Sequence, residues 1–132
     1  MAQFATGTWT LVEAENFDAY MKALGIGLVM RKLANITKPV TEINVIDGIW
    51  TVKTITPIKT TEAIFKVGTE FDEVTLDGRK VKTTVTLEGQ KLTCYQKGEP
   101  DSVLVREFNG NEMILWLTAN GVTCKRIYKR KD

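Results

Sequence analysis

The chain has 132 residues, 43% of them hydrophobic and 26% charged, with 18 Lys and Arg against 16 Asp and Glu. That length supports one core and one domain over 1–132, and a net charge of +2 is too small for nucleic-acid binding by charge. With no histidine, His-based triads and His-ligated metals are excluded, and Cys94 and Cys124 lie too far apart for metal-ligand spacing. No cofactor is called for.

The opening MAQFATGTW has no basic region followed by an apolar stretch, so it does not read as a signal peptide. The longest apolar run, ALGIGLVM, is far short of a membrane span. A cytoplasmic chain with two free thiols is therefore expected. Apolar/polar alternation predicts a first strand over 6–14. In ENFDAYMKALG the period changes: Phe17, Tyr20, Met21 and Leu24 recur at helical spacing, with Asn16 as N-cap and Gly25 as the stop. GLVMRKLAN continues as a second short helix with Asn35 near its end.

Alternation then resumes, predicting strands near 39–46, 49–55, 58–66, 70–73, 79–87, 90–97, 102–108, 112–119 and 122–130. The turns between them are marked by IDG at 46–48, LDG at 76–78, LEG at 87–89, FNGN at 108–111 and ANG at 119–121. Ten short antiparallel strands joined by hairpins define an all-β fold, a ten-stranded up-and-down β-barrel. The single helix-turn-helix insert makes a lid for that vessel.

Strand parity singles out two arginines. In GVTCKRIYKR one face carries Thr123, Lys125, Ile127 and Lys129, which suits solvent. The other carries Val122, Cys124, Arg126 and Tyr128, so Arg126 points inward. Arg130 continues the inward parity but is expected to reach water at the fraying end. In SVLVREF neither face is purely polar; placing Glu107 outside and Arg106 inside lets two strands share one anionic partner. A buried guanidinium needs a counter-charge, because its desolvation costs several kcal/mol. Backbone carbonyls, water or a distant acid satisfy that need, and so does an anionic ligand. Arg presents a rigid fork matched to a carboxylate, and a Tyr hydroxyl on the same face adds a donor. A carboxylate head in an apolar vessel describes an amphiphile such as a fatty acid.

The segments GTWTLVEAENFDAYMKALGIG at 7–27, RKLAN at 31–35, KVGTEFDEVTLDGRKVKTTVTLEG at 66–89, LVREF at 104–108 and CKRIYKR at 124–130 are similar to the intracellular lipid-binding proteins, specifically the fatty-acid-binding proteins of heart, adipocyte and peripheral-myelin type. The resemblance spans the whole chain. It implies a flattened ten-stranded barrel capped by two short helices, a monomer that binds long-chain fatty acids without catalysis. It implies that Arg126 and Tyr128 hold the carboxylate and that Arg106 assists. Cavity and portal lining is implied for Phe17, Tyr20, Met21, Ile26, Ala34, Pro39, Ile58, Leu76, Asp77, Leu104, Leu115 and Leu117.

One departure is at the portal, where TPIKTTE puts Ile58 at a position that many relatives fill with phenylalanine. Trp116, on the outer face, matches no expectation. Lys22, Arg31 and Lys32 match positions that form a ligand-dependent nuclear-import surface in adipocyte-type members. The same cations also read as a solvated face for transient contact with anionic membranes. Three other functions compete with the carrier: a binder of retinoic acid or another amphiphilic acid, a membrane-stacking module, and a lipid-directed enzyme. Against the last, G-x-S-x-G is absent and no Ser or Cys has a recognisable base.

Overall fold

A computed structural model describes residues 2–131; Met1 and Asp132 lie outside the described part. The elements, in order, are β1 (Gly7–Glu15), α1 (Phe17–Ala23), α2 (Leu28–Ile36), β2 (Val40–Ile46), β3 (Ile49–Ile55), β4 (Thr60–Lys66), β5 (Phe71–Val74), β6 (Lys80–Glu88), β7 (Lys91–Lys97), β8 (Ser102–Asn109), β9 (Glu112–Ala119) and β10 (Val122–Arg130). Every strand falls within two residues of its predicted span. The Asp-Gly and Asn-Gly signals worked for a stereochemical reason. Asp47 and Gly48 have φ of 52° and 78°, and Asn120 and Gly121 have 49° and 76°. Two-residue hairpin loops with left-handed φ at both positions match the right-handed twist of the strands they join.

The sheet order β4-β3-β2-β1-β10-β9-β8-β7-β6-β5 is a meander closed by antiparallel pairing of β1 with β10. β4 and β5, the two ends of that order, are not hydrogen-bonded to each other. Side chains span this gap: the Phe65 ring of β4 stacks on Phe71 of β5 at 5.3 Å and on Trp50 of β3 at 6.0 Å. The barrel is nearly closed, with aromatic stacking where the ladder is missing.

At the end away from the helices, a 3-10 turn (Gln3–Ala5) plugs the barrel. Trp9, fully buried, donates from Nε1 to the Ala5 carbonyl at 3.1 Å and meets Phe108 edge-on at 5.6 Å. Arg130 belongs to this plug and is half-buried there, so the guanidinium expected to reach water also has partners in the protein. Its guanidinium lies over the Trp9 ring, 4.3 Å from the centroid, and donates to the carbonyls of Thr6 and, at 2.8 Å, Phe4. Parity did turn Arg130 inward; a neighbouring aromatic face and orphan carbonyls then took up its charge.

At the other end the two helices cover the mouth. Asn16 is not a side-chain cap: it adopts φ 64° and its Nδ2 donates to the Thr123 carbonyl of β10 at 2.9 Å. The helix starts instead on its backbone carbonyl, which accepts from the Tyr20 N–H at 3.1 Å. Gly25, with φ 82°, ends α1 as the sequence suggested. The far end of α1 is tied to the β9–β10 turn, where Asn120 Nδ2 donates to the Ala23 carbonyl at 2.9 Å.

Candidate functional site

Cross-strand register sets the site. Arg106 on β8, Leu115 on β9 and Arg126 on β10 are mutual partners in one row across the inner wall. Phe108, Met113 and Tyr128 form the next row. With strands about 4.8 Å apart, the two arginine Cα atoms are roughly 10 Å apart and both side chains enter the same space. Arg106, Arg126 and Tyr128 are 8%, 4% and 3% exposed, whereas Glu107 is exposed. This resolves the parity of β8. Its outer face reads as apolar because Val105 lies beside Trp116, which also faces Lys125 of β10. Trp116 thus packs on the outside of the wall, away from the cavity.

The three side chains border a cavity of about 710 Å³. Among the described residues, no ion pair joins Arg106 or Arg126 to a carboxylate. Arg106 Nε is buried without any hydrogen-bond partner. Burial pushes the Cys94 thiol up to about 11 against the opposing pull of Arg106, and pushes Cys124 up to about 11 against Arg126. Both cysteines are protonated, packed side chains at neutral pH and poor nucleophiles.

Farther along the same inner wall, a polar chain from β5 to β8 satisfies itself. Glu73 Oε1 accepts from Thr83 Oγ1 at 2.7 Å and from Gln96 Nε2 at 3.1 Å, and Ser102 Oγ donates to Gln96 Oε1 at 2.6 Å. Nearer the mouth, Asp77 accepts from Thr75 at 2.5 Å and from Arg79 Nε at 2.8 Å. Burial raises the Tyr20 hydroxyl to about 12, with Arg79 pulling the other way. The contrast within one cavity is plain: among the described residues Arg79 has its acid, and Arg106 and Arg126 do not.

All twelve residues expected at the cavity and portal border this space. Phe17, Tyr20 and Met21 come from α1, Ile26 from the helix turn and Ala34 from α2. Pro39 and Ile58 flank the portal, Leu76 and Asp77 belong to the β5–β6 turn, and Leu104, Leu115 and Leu117 come from β8 and β9. Ile58 is 54% exposed, so it stands at the rim. The sequence reading missed the polar lining, above all Thr41, Thr54, Thr61, Glu73, Thr83 and Gln96. Parity anchored on Trp50 and Val52 was the signal available for Thr54, but a threonine face looks like a solvent face. Of the three basic lid positions, Lys22 and Lys32 are exposed. Arg31 is turned inward: its side chain is 14% exposed, with Nε on Asp18 at 3.2 Å and a guanidinium nitrogen on the Ile26 carbonyl at 2.7 Å.

A nearly closed antiparallel barrel around an internal amphipathic cavity, lidded by two helices, is the architecture of a protein that takes a small amphiphile inside. Residues 6–131 match the family described as lipocalin/cytosolic fatty-acid binding protein. Over all 132 residues, and the whole of the relative, the chain is 50% identical to sodium/calcium exchanger regulatory protein 1 of Doryteuthis pealeii. The solved REP1-NXSQ fatty acid transporter is 50% identical, covering 96% of each chain, with a TM-score of 0.93. A Schistosoma mansoni fatty acid binding protein in complex with arachidonic acid is 36% identical over 99% of this chain and 98% of its own, with a TM-score of 0.95. The chain belongs to the lipocalin/cytosolic fatty-acid binding protein family, which makes it a lipid-binding protein and not an enzyme.

Proposed function

We propose that this protein is a cytoplasmic carrier that reversibly binds a long-chain fatty acid, with the carboxylate held by Arg126 and Tyr128 and assisted by Arg106. The observation that carries the reading is the pair of buried guanidiniums that face the cavity without an acid of their own. A buried cation that lacks a partner is costly, and a ligand carboxylate removes that cost. The names of two similar structures, a fatty acid transporter and a complex with arachidonic acid, point to the same ligand class.

The energetics divide between tail and head. Each buried methylene contributes about 0.8 kcal/mol, so a long acyl chain offers on the order of 10 kcal/mol before costs. Ordering the chain and displacing cavity water remove several kcal/mol, which leaves micromolar or tighter binding. The arginines then choose the acid over the alcohol or ester. Delipidation with mass spectrometry of the extract, followed by displacement titration, tests this. Fatty acids are expected to co-purify, and Arg126→Gln is expected to weaken the acid about 30-fold or more while leaving a fatty alcohol unaffected. An unchanged preference for acids in Arg126→Gln removes Arg126 from the site.

Membrane contact through the lid is a second reading, favoured by one observation. α2 has no buried residue and exposes Leu28, Val29 and Ile36 beside Lys32. Apolar side chains flanked by lysines suit the surface of an anionic bilayer. Nuclear import by the Lys22, Arg31 and Lys32 trio is less favoured, because Arg31 is engaged with Asp18. Transfer of a fluorescent fatty acid to anionic vesicles should slow in Lys22→Glu/Lys32→Glu and with rising salt; insensitivity to both dismisses the membrane reading.

A further inference from the structure

The partner that Arg126 does have is an aromatic ring. Its guanidinium carbon lies over Phe17, 3.8 Å from the ring centroid. Phe17 is the first residue of α1 and borders the cavity, yet it also borders a second recess, between β1 and the lid. The walls of that recess include Asn16, Asp18, Asn35 and Thr37 together with Leu11 and Ala14, and Arg126 reaches it too. The guanidinium therefore stands between two spaces, the ligand cavity and the recess that contains Asp18, with one ring beside it.

We infer that Phe17 is a positioning residue for head-group selection, holding the Arg126 guanidinium toward the cavity and away from the recess. A guanidinium is planar: its face can lie on a ring while its N–H donors, which project from the edge, stay free for a carboxylate. Stacking therefore restrains the cation without consuming the donors a ligand needs. Removing the ring frees Arg126 to turn toward Asp18 and water, and an acid then has to draw it back. The alcohol of the same chain length does not call on Arg126; it shares with the acid only the loss of contact with the Phe17 ring, so the acid-over-alcohol ratio isolates the effect on the guanidinium. This inference rests on the reading of Arg126 as the carboxylate anchor.

The test compares oleic acid with oleyl alcohol by probe displacement in the wild type, Phe17→Leu, Phe17→Tyr and Arg126→Gln. Phe17→Leu keeps much of the volume but has no π face, and is expected to lower the acid-over-alcohol ratio about tenfold. Phe17→Tyr restores the face and should restore the ratio. An unchanged ratio in Phe17→Leu, or equal weakening of acid and alcohol, overturns the inference. If Arg126→Gln keeps the wild-type ratio, the anchor itself is wrong and the inference goes with it. Loss of preference in Arg126→Gln alone leaves the anchor standing and removes only Phe17. Should Phe17→Leu fail to fold, the wild type still decides. Arg126 side-chain NMR signals should carry a ring-current shift that persists with oleate bound, and its disappearance on binding overturns the inference.

Discussion

The two helices of the lid look alike as patterns and behave as different kinds of structure. α1 buries Tyr20 and Met21 to 5% and 3% exposure, and hydrogen bonds from Asn16 and Asn120 tie the segment to the β9–β10 hairpin. α2 buries nothing, and its Val29 and Ile36 are each 79% exposed. Its polar ties run to α1, through Arg31 and Asn35 to the single carboxylate of Asp18. One helix is part of the barrel's core; the other hangs from it. Local opening costs least where few apolar contacts are lost, so the lid should open by α2 leaving while α1 stays.

The largest test of this difference is truncation on each helix. Met21→Ala should cost about 2–4 kcal/mol in denaturant unfolding, whereas Val29→Ala should stay within about 0.5 kcal/mol. A Met21→Ala loss as small as that of Val29→Ala erases the distinction. Next is the alkaline limb of stability. The Tyr20 hydroxyl titrates at about 12 when folded, against an ordinary value of 10. Between these values the folded state binds more protons than the unfolded state, so stability falls as pH rises from about 10 to about 12, by on the order of 2 kcal/mol. Tyr20→Phe should flatten that part of the profile; an unaltered slope means that Tyr20 is not held neutral by burial. The smallest effect falls on the tether. Asp18→Ala should cost about 1 kcal/mol or less, since the Arg31 pair is only partly buried. Amide exchange should nevertheless quicken in α2 and not in α1. Equal quickening in both helices means that they open as one unit.

Much of the barrel was legible because hairpins are local. Turn dipeptides and alternation place ten strands with no long-range information, and the lysines on the outer face of β10 fix the direction of Arg126. Arg106 was ambiguous because Val103 and Val105 make its outer neighbours as apolar as its inner ones. What the sequence hid depends on distant partners. Nothing near Arg130 announces Trp9, and the Glu73, Thr83, Gln96 and Ser102 chain draws on four strands. The difference between α1 and α2 was hidden for the same reason. An amphipathic stripe shows that a face wants cover, and only the fold shows whether cover is supplied.

The plug at the closed end has a consequence for how the protein is made. β1 finds one of its two partners only in β10, and Arg130 secures Phe4 and Thr6 from the opposite end of the chain. During synthesis the barrel cannot close until residue 130 has cleared the ribosome. Until then the emerging meander keeps its apolar inner face and the β1 edge uncovered. A contact at the floor of the vessel thus ties closure of the barrel to its last strand.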